Sequence, residues 1–182
     1  MELYLVRHGE AASQWGQSDD PGLSDLGQQQ AKATASVLRP LLDTSVELVS
    51  SPMLRARETA EPLSALLSTE VKIVDAFREI PAPVGTLNKK TWLNEFMQQS
   101  WNQQPAELLQ WRAGAMTALL QMQQSTVVFT HFMLLNAIVA ELQQRQETVV
   151  FLPDNASVTR LRLGDGVLEL VESGAQMTTV IN

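Results

Sequence analysis

Leu5-Val6-Arg7-His8-Gly9-Glu10 carries an apolar run directly into an arginine, a histidine, a glycine and a glutamate. Residues 3–6 read as a buried strand, because a short apolar stretch bounded by polar residues fits one. The polar set therefore falls at that strand's carboxyl end. The same pattern recurs in the runs 46–49, 71–74 and 126–129. Between these runs, apolar residues return at helical spacing. Ala31, Ala35, Leu38 and Leu42 share one face of 27–42, with Ser24 as its N-cap. Ala56, Ala60, Leu63 and Leu67 do the same in 53–67, and 107–123 and 133–144 are two further helices. Strands alternating with helices predict an α/β fold: three layers, α/β/α, around a mostly parallel sheet.

The tail departs from that alternation. Segments 157–163 and 167–171 flank Gly164-Asp165-Gly166, which predicts a hairpin forming an antiparallel edge near the C-terminus. Residues 178–181 read as a last short strand or an ordered tail. The least regular stretch, about 81–105, holds Pro81, Pro83, Gly85, Trp92, Phe96 and Trp101 and reads as a lid-like insertion over one end of the sheet. No repeat or linker interrupts the chain, so residues 1–182 are expected to form a single domain.

Composition narrows the function. The 182 residues include 13 Lys and Arg against 20 Asp and Glu, a net charge of −7. A nucleic-acid or anionic-membrane binder usually carries a basic stripe, and this chain has none. A small anion is a different matter, since a few arginines can build a local positive pocket. The absence of cysteine removes disulfides, a thiolate nucleophile and cysteine metal sites. Neither a secretory signal nor an apolar run long enough for a membrane span is visible, so a cytoplasmic protein is expected.

In open α/β sheets, ligands bind beyond the carboxyl ends of the strands. After the first predicted strand come Arg7, His8, Gly9 and Glu10; after the second, Ser50-Ser51-Pro52 and then Arg55 at a helix start. Arg78 and Glu79 follow the third, and His131 follows the fourth. The chain has only two histidines, and both fall at such positions. Arginine forks and helix N-termini hold oxyanions. A neutral imidazole nitrogen can accept a phosphoryl group and release it to water, and a glutamic acid can protonate the leaving alkoxide. Arg7, His8, Arg55, Glu79 and His131 supply each of these functions once.

These residues also carry a resemblance. Leu5-Val6-Arg7-His8-Gly9-Glu10 is similar to the signature of the histidine phosphatase superfamily, the phosphoglycerate-mutase-like proteins. Leu23-Ser24 with Gly27, Gln30 and Ala31 resembles the start of that family's first helix, and Ser50-Ser51-Pro52-Met53-Leu54-Arg55-Ala56 with Thr59-Ala60 its second arginine motif. Phe77-Arg78-Glu79-Ile80 resembles the segment carrying the proton donor, 127–131 the strand that ends in the second histidine, and 155–159 the start of the family's late strand. The resemblance implies that His8 is the nucleophile and becomes a phosphohistidine. It implies that Arg7, Arg55 and His131 bind the phosphate and its transition state, and that Glu79 is the acid and then the base. Gly9 would turn closely and position the His8 ring. No metal or other cofactor is implied. The partner would be a small phosphorylated substrate, with a phosphohistidine protein also open, and neither nucleic acid nor membrane.

Three departures qualify the match. Phe132 stands where the family often has glycine, and it fits if His131 caps the following helix. The asparagine usual after the first motif is absent, so its contact to the phosphate is either missing or taken over by Ser13 or Gln14. The chain is short, and 81–125 carries a net charge of only +1, whereas a lid for a bisphosphate should be more basic. A metal-independent phosphomonoesterase is therefore favoured over a mutase or phosphotransferase. The intact set of five favours it over a module that only binds a phosphorylated ligand, since pure binding needs neither the nucleophile nor the acid. Glu10 is the rival to Glu79 as proton donor, Arg78 reads as an ion-pair partner and Arg57 as solvated. Trp92, Phe96, Met97 and Trp101 read as packing rather than a substrate wall. Asp154, Asn155 and Ser157 read as a turn.

Overall fold

The computed structural model describes residues 1–13, 20–43 and 45–177. Its strands are β1 (Glu2–Arg7), β2 (Glu47–Ser50), β3 (Val71–Ile73), β4 (Thr126–Thr130), β5 (Val158–Gly164) and β6 (Val167–Glu172). The helices are α1 (Asp25–Leu38), α2 (Leu54–Leu67), α3 (Lys89–Phe96), α4 (Ala106–Leu120) and α5 (Phe132–Leu142). They order as β3-β2-β4-β1-β5-β6 in one sheet. The first four of that order pair in parallel, and β1–β5 and β5–β6 pair antiparallel.

Burial on both faces explains why β1 and β4 read as unbroken apolar runs. Successive side chains point to opposite faces. Leu3 and Leu5 of β1 pack with Val128 against Ala115 and Leu119 of α4 and Leu134 and Ile138 of α5. Tyr4 and Val6 pack with Val127 and Phe129 against Ala35 and Leu38 of α1 and Ala56, Ala60 and Leu63 of α2. Helices thus cover both faces, which gives the three layers.

Ser24 caps α1 by accepting from the Gly27 N–H at 3.0 Å. That helix stops at Leu38 instead of continuing to 42, because Pro40 has no N–H to donate to the ladder; a short 3-10 turn spans Arg39–Leu41. In the β5–β6 hairpin, Asp165 and Gly166 take φ of 50° and 74°, the left-handed pair that a two-residue turn requires. Residues 178–181 lie outside the described residues.

The stretch 81–105 is more regular than its composition suggests. It contains α3, capped by the Asn88 carboxamide oxygen accepting from Thr91 N–H. Its aromatics are packing residues. Phe96 and Trp101 are buried with Ile80, Leu108, Phe132, Met133 and Ala137, and Trp92 and Met97 lean on the same cluster. Among the described residues, no helix is long and apolar enough to cross a membrane.

Candidate active site

β4 lies between β1 and β2, so the carboxyl ends of all three strands meet. Backbone bonds extend the ladder past the strands. His8 N–H donates to Thr130 O at 2.9 Å, and Ser51 N–H donates to Phe129 O at 2.9 Å. His8 and Ser51 therefore flank His131, and the two imidazole centroids stand 5.2 Å apart.

His8 is held by its own loop. Its Nδ1 lies 2.7 Å from the Gly9 carbonyl oxygen, which can only accept, so Nδ1 carries the proton. Nε2 is then the lone-pair nitrogen, and Arg55 Nε donates to it at 3.2 Å. The ring is 9% exposed. Burial, reinforced by Arg55 and Arg7 and opposed by the Gly9 carbonyl, pulls its pKa down to about 3, so the ring is neutral at physiological pH. Gly9 serves this loop through a close approach: a Cβ there would sit 2.6 Å from Gly27 O. Its N–H donates to Thr59 Oγ1 at 3.0 Å.

Arg55 opens α2 and is buried, with its Nη1 3.9 Å from Asp20. Asp20 also accepts from Leu54 N–H at 2.8 Å and so caps α2, where Met53 supplies no side-chain cap. Arg7 is anchored on different partners. Its Nη1 donates to Pro153 O at 2.8 Å, its guanidinium lies under the Phe132 ring at 5.2 Å, and its buried Nε has no protein partner among the described residues. Burial lowers the pKa of both arginines, while Glu79 raises it in each case.

His131 is the N-cap residue of α5 and Phe132 is its first helical residue, so the phenylalanine fits without strain. His131 Nε2 lies 2.7 Å from Ser51 Oγ. Burial first, then His8, Arg55 and Arg7, hold its pKa well below the usual value.

Glu79 reaches the site by a longer route than the end of β3. That strand stops at Ile73, and a 3-10 turn at Asp75–Phe77 brings the chain back across the sheet. Thr130 Oγ1 anchors this segment by donating to Phe77 O at 2.9 Å. The Glu79 carboxylate accepts from Ile80 N–H at 2.9 Å and from Met133 N–H at 3.1 Å, at the start of α5. Burial raises its pKa against the pull of those N–H groups, Arg55 and Arg7. Glu10 turns away toward α1, accepting from Ser24 Oγ at 2.7 Å. Arg78 pairs with Asp75, and Arg57 is exposed. Asp154 to Ser157 form a turn, with Ser157 N–H donating to Asp154 O.

Arg7, His8, Gly9, Arg55, Glu79, His131 and Phe132 are thus brought to one edge of the sheet. Ser13 is half-buried in a bend beyond the Ala11–Leu23 bridge, and Gln14 lies outside the described residues. Sequence reasoning quoted Ser51 and Thr59 only as parts of a motif, with no role of their own, and did not single out Asp20. Thr59 had a visible signal, being polar and one turn after Arg55 on the apolar face of α2. Among the described residues, no three His, Asp or Glu side chains form a metal-ligand group. A neutral imidazole whose Nε2 lone pair faces Arg55, beside a second arginine and a carboxyl whose pKa burial raises, can accept a phosphoryl group and protonate what leaves.

Comparisons with known proteins agree with this fold. The structure resembles a mycobacterial glucosyl-3-phosphoglycerate phosphatase solved with VO3, with a TM-score of 0.75 at 23% identity over 96% of this chain and 99% of that one. It also resembles a phosphoserine phosphatase from Entamoeba histolytica, with a TM-score of 0.72 at 21% identity over 96% of each chain. At these identities the likeness concerns the fold. In sequence, an uncharacterised protein of Picosynechococcus is 40% identical over 67 residues, a match spanning 36% of this chain and 41% of that curated relative. The profile of the histidine phosphatase superfamily (branch 1) matches residues 3–176, nearly the whole length, and the chain belongs to that superfamily.

Proposed function

We propose that the protein hydrolyses a small phosphomonoester through a phosphohistidine at His8, without a metal. The observation that carries this reading is the His8 ring, which is neutral, tied back at Nδ1 and turned so that Nε2 meets Arg55. In the first step the Nε2 lone pair attacks phosphorus and the P–O ester bond breaks. Glu79 gives its proton to the departing oxygen. In the second, Glu79 takes a proton from water, the water oxygen bonds to phosphorus, and the N–P pair returns to Nε2. Arg7, Arg55 and His131 hold the equatorial oxygens, where phosphoryl transfer needs most stabilisation.

A phosphatase is favoured over a mutase by the near-neutral segment 81–125. The same reading makes 81–105 a lid-like cover, supported by the packing of Phe96 and Trp101 on Phe132 and Met133. A cytoplasmic setting suits a sequence without cysteine. The test is inorganic phosphate release from a panel of phosphomonoesters with a chelator present. Wild type should release phosphate, and His8→Ala should lose about 10⁴-fold or more. Release that survives His8→Ala would remove the nucleophile from this mechanism.

A further inference from the structure

His131 is fully buried, yet among the described residues only one of its ring nitrogens is engaged. Nε2 lies 2.7 Å from Ser51 Oγ, and Nδ1 has no hydrogen-bond partner among the described residues. Leaving a buried polar nitrogen unpaired is costly, so such an atom calls for a ligand or a catalytic role. The ring is neutral and carries one proton, which sits on one of two nitrogens.

The surroundings of Ser51 decide which. Ser51 Oγ is itself buried and accepts from Met53 N–H at 3.3 Å. If Nε2 carried the proton and gave it to Ser51, the serine hydroxyl would have two donors and no acceptor for its own hydrogen. A bare Nδ1 lone pair would also be left buried. If Ser51 donates to Nε2 instead, the bonds run in one direction, from Met53 N–H to the serine oxygen and from the serine O–H to the ring. The unpaired atom is then an N–H, the group an anion can accept from.

We propose that Ser51 is a positioning residue that donates its hydroxyl proton to His131 Nε2 and so keeps the imidazole proton on Nδ1, aimed at a phosphoryl oxygen held beside His8. This rests on the phosphatase reading for the identity of the ligand, but not for the tautomer. The two histidines then carry their proton on the same nitrogen and turn opposite nitrogens to the substrate, a lone pair from His8 and a donor from His131.

The chain has two histidines, so long-range ¹H–¹⁵N correlation of ring-labelled protein gives two ring patterns, with His8→Ala assigning them. Wild type without substrate should show His131 protonated at Nδ1. Ser51→Ala should move the ring toward the Nε2–H form and lower kcat for phosphate release by about tenfold, with KM changing less. Ser51→Thr, which keeps the hydroxyl, should restore both. An Nε2–H ring in wild type, or a tautomer unchanged in Ser51→Ala, overturns the proposal; the wild-type spectrum decides even if the alanine variant fails to fold. The expected spectra with no phosphate release from wild type would instead overturn the phosphatase reading and leave the Ser51–His131 assignment standing.

Discussion

The ends of β1 and β4 sit side by side, each strand runs into a histidine, and the two sites hold that histidine differently. At β1 the restraint is backbone: the Gly9 carbonyl takes Nδ1–H, and Gly9 can approach closely because it lacks a Cβ. At β4 the restraint is a side chain from the neighbouring strand end, Ser51 against Nε2. The ring tied at Nδ1 offers a lone pair, and the ring tied at Nε2 offers a donor. Identical residues at equivalent strand ends thus acquire opposite chemistry from the partner behind them, and burial keeps both rings neutral so that the partner decides.

After loss of His8 itself, breaking the acid at the β4 end should have the largest effect. Glu79 is fastened to the start of α5 through Met133 N–H, and burial raises its pKa so that it retains its proton further toward neutrality. Glu79→Gln should lower phosphate release from an alkyl phosphate by about 10²–10⁴-fold. Activity of the wild type on that ester should fall as pH rises through the Glu79 pKa, and the variant should lack that limb. An aryl ester with an acidic leaving group needs less protonation, so its first-step loss should be smaller. Glu10→Gln, whose wild-type carboxylate faces Ser24, should leave the rate near wild type; a loss matching that of Glu79→Gln would exchange the two roles.

The β1 end was the more legible of the two in sequence. An apolar run followed by Arg7-His8-Gly9-Glu10 places its polar group by strand geometry alone, and Ser24 and Asp165-Gly166 announce a cap and a turn through backbone chemistry. The β4 end depends on contacts between distant segments. Glu79 arrives through a 3-10 turn and the Thr130–Phe77 bond, which joins residues 53 positions apart and leaves no periodic trace. Ser51 reads as one of a serine pair before proline, and only the sheet order brings it to His131. Phe132 stood out as a departure from the family. Its partner, Arg7, emerges only when β1 and β4 pair in register, Arg7 opposite Thr130.

Phe132 joins the two ends, which makes it a smaller but sharper probe. Its ring covers the Arg7 guanidinium at 5.2 Å, an interaction worth about 0.5–2 kcal/mol. Phe132→Gly should therefore weaken phosphate holding by about 2–30-fold, seen mainly as a raised KM, and Phe132→Tyr should stay near wild type. Faster turnover in Phe132→Gly would mean that the ring obstructs the site rather than steadying Arg7.

The smallest effect should appear in stability. The His8 ring is neutral when folded, with a pKa near 3, and takes up a proton near 6.5 when unfolded. Between those values the unfolded chain binds more protons, so stability falls as pH drops from about 6.5 toward 3. His131, also depressed, adds to the same slope, whereas Glu79, with a raised pKa, opposes it by taking up a proton more readily when folded. His8→Asn should therefore lose less melting temperature than wild type between pH 7 and 4.5. Two pH units of linkage are about 2.7 kcal/mol, so the difference should be about 5–10 °C, at about 2–4 °C per kcal/mol for a chain of this size. Glu79→Gln should lose more. Parallel melting curves for wild type and His8→Asn would mean that the β1 ring charges as freely in the fold as in water, and the contrast between a lone pair at one strand end and a donor at the other would lose its basis.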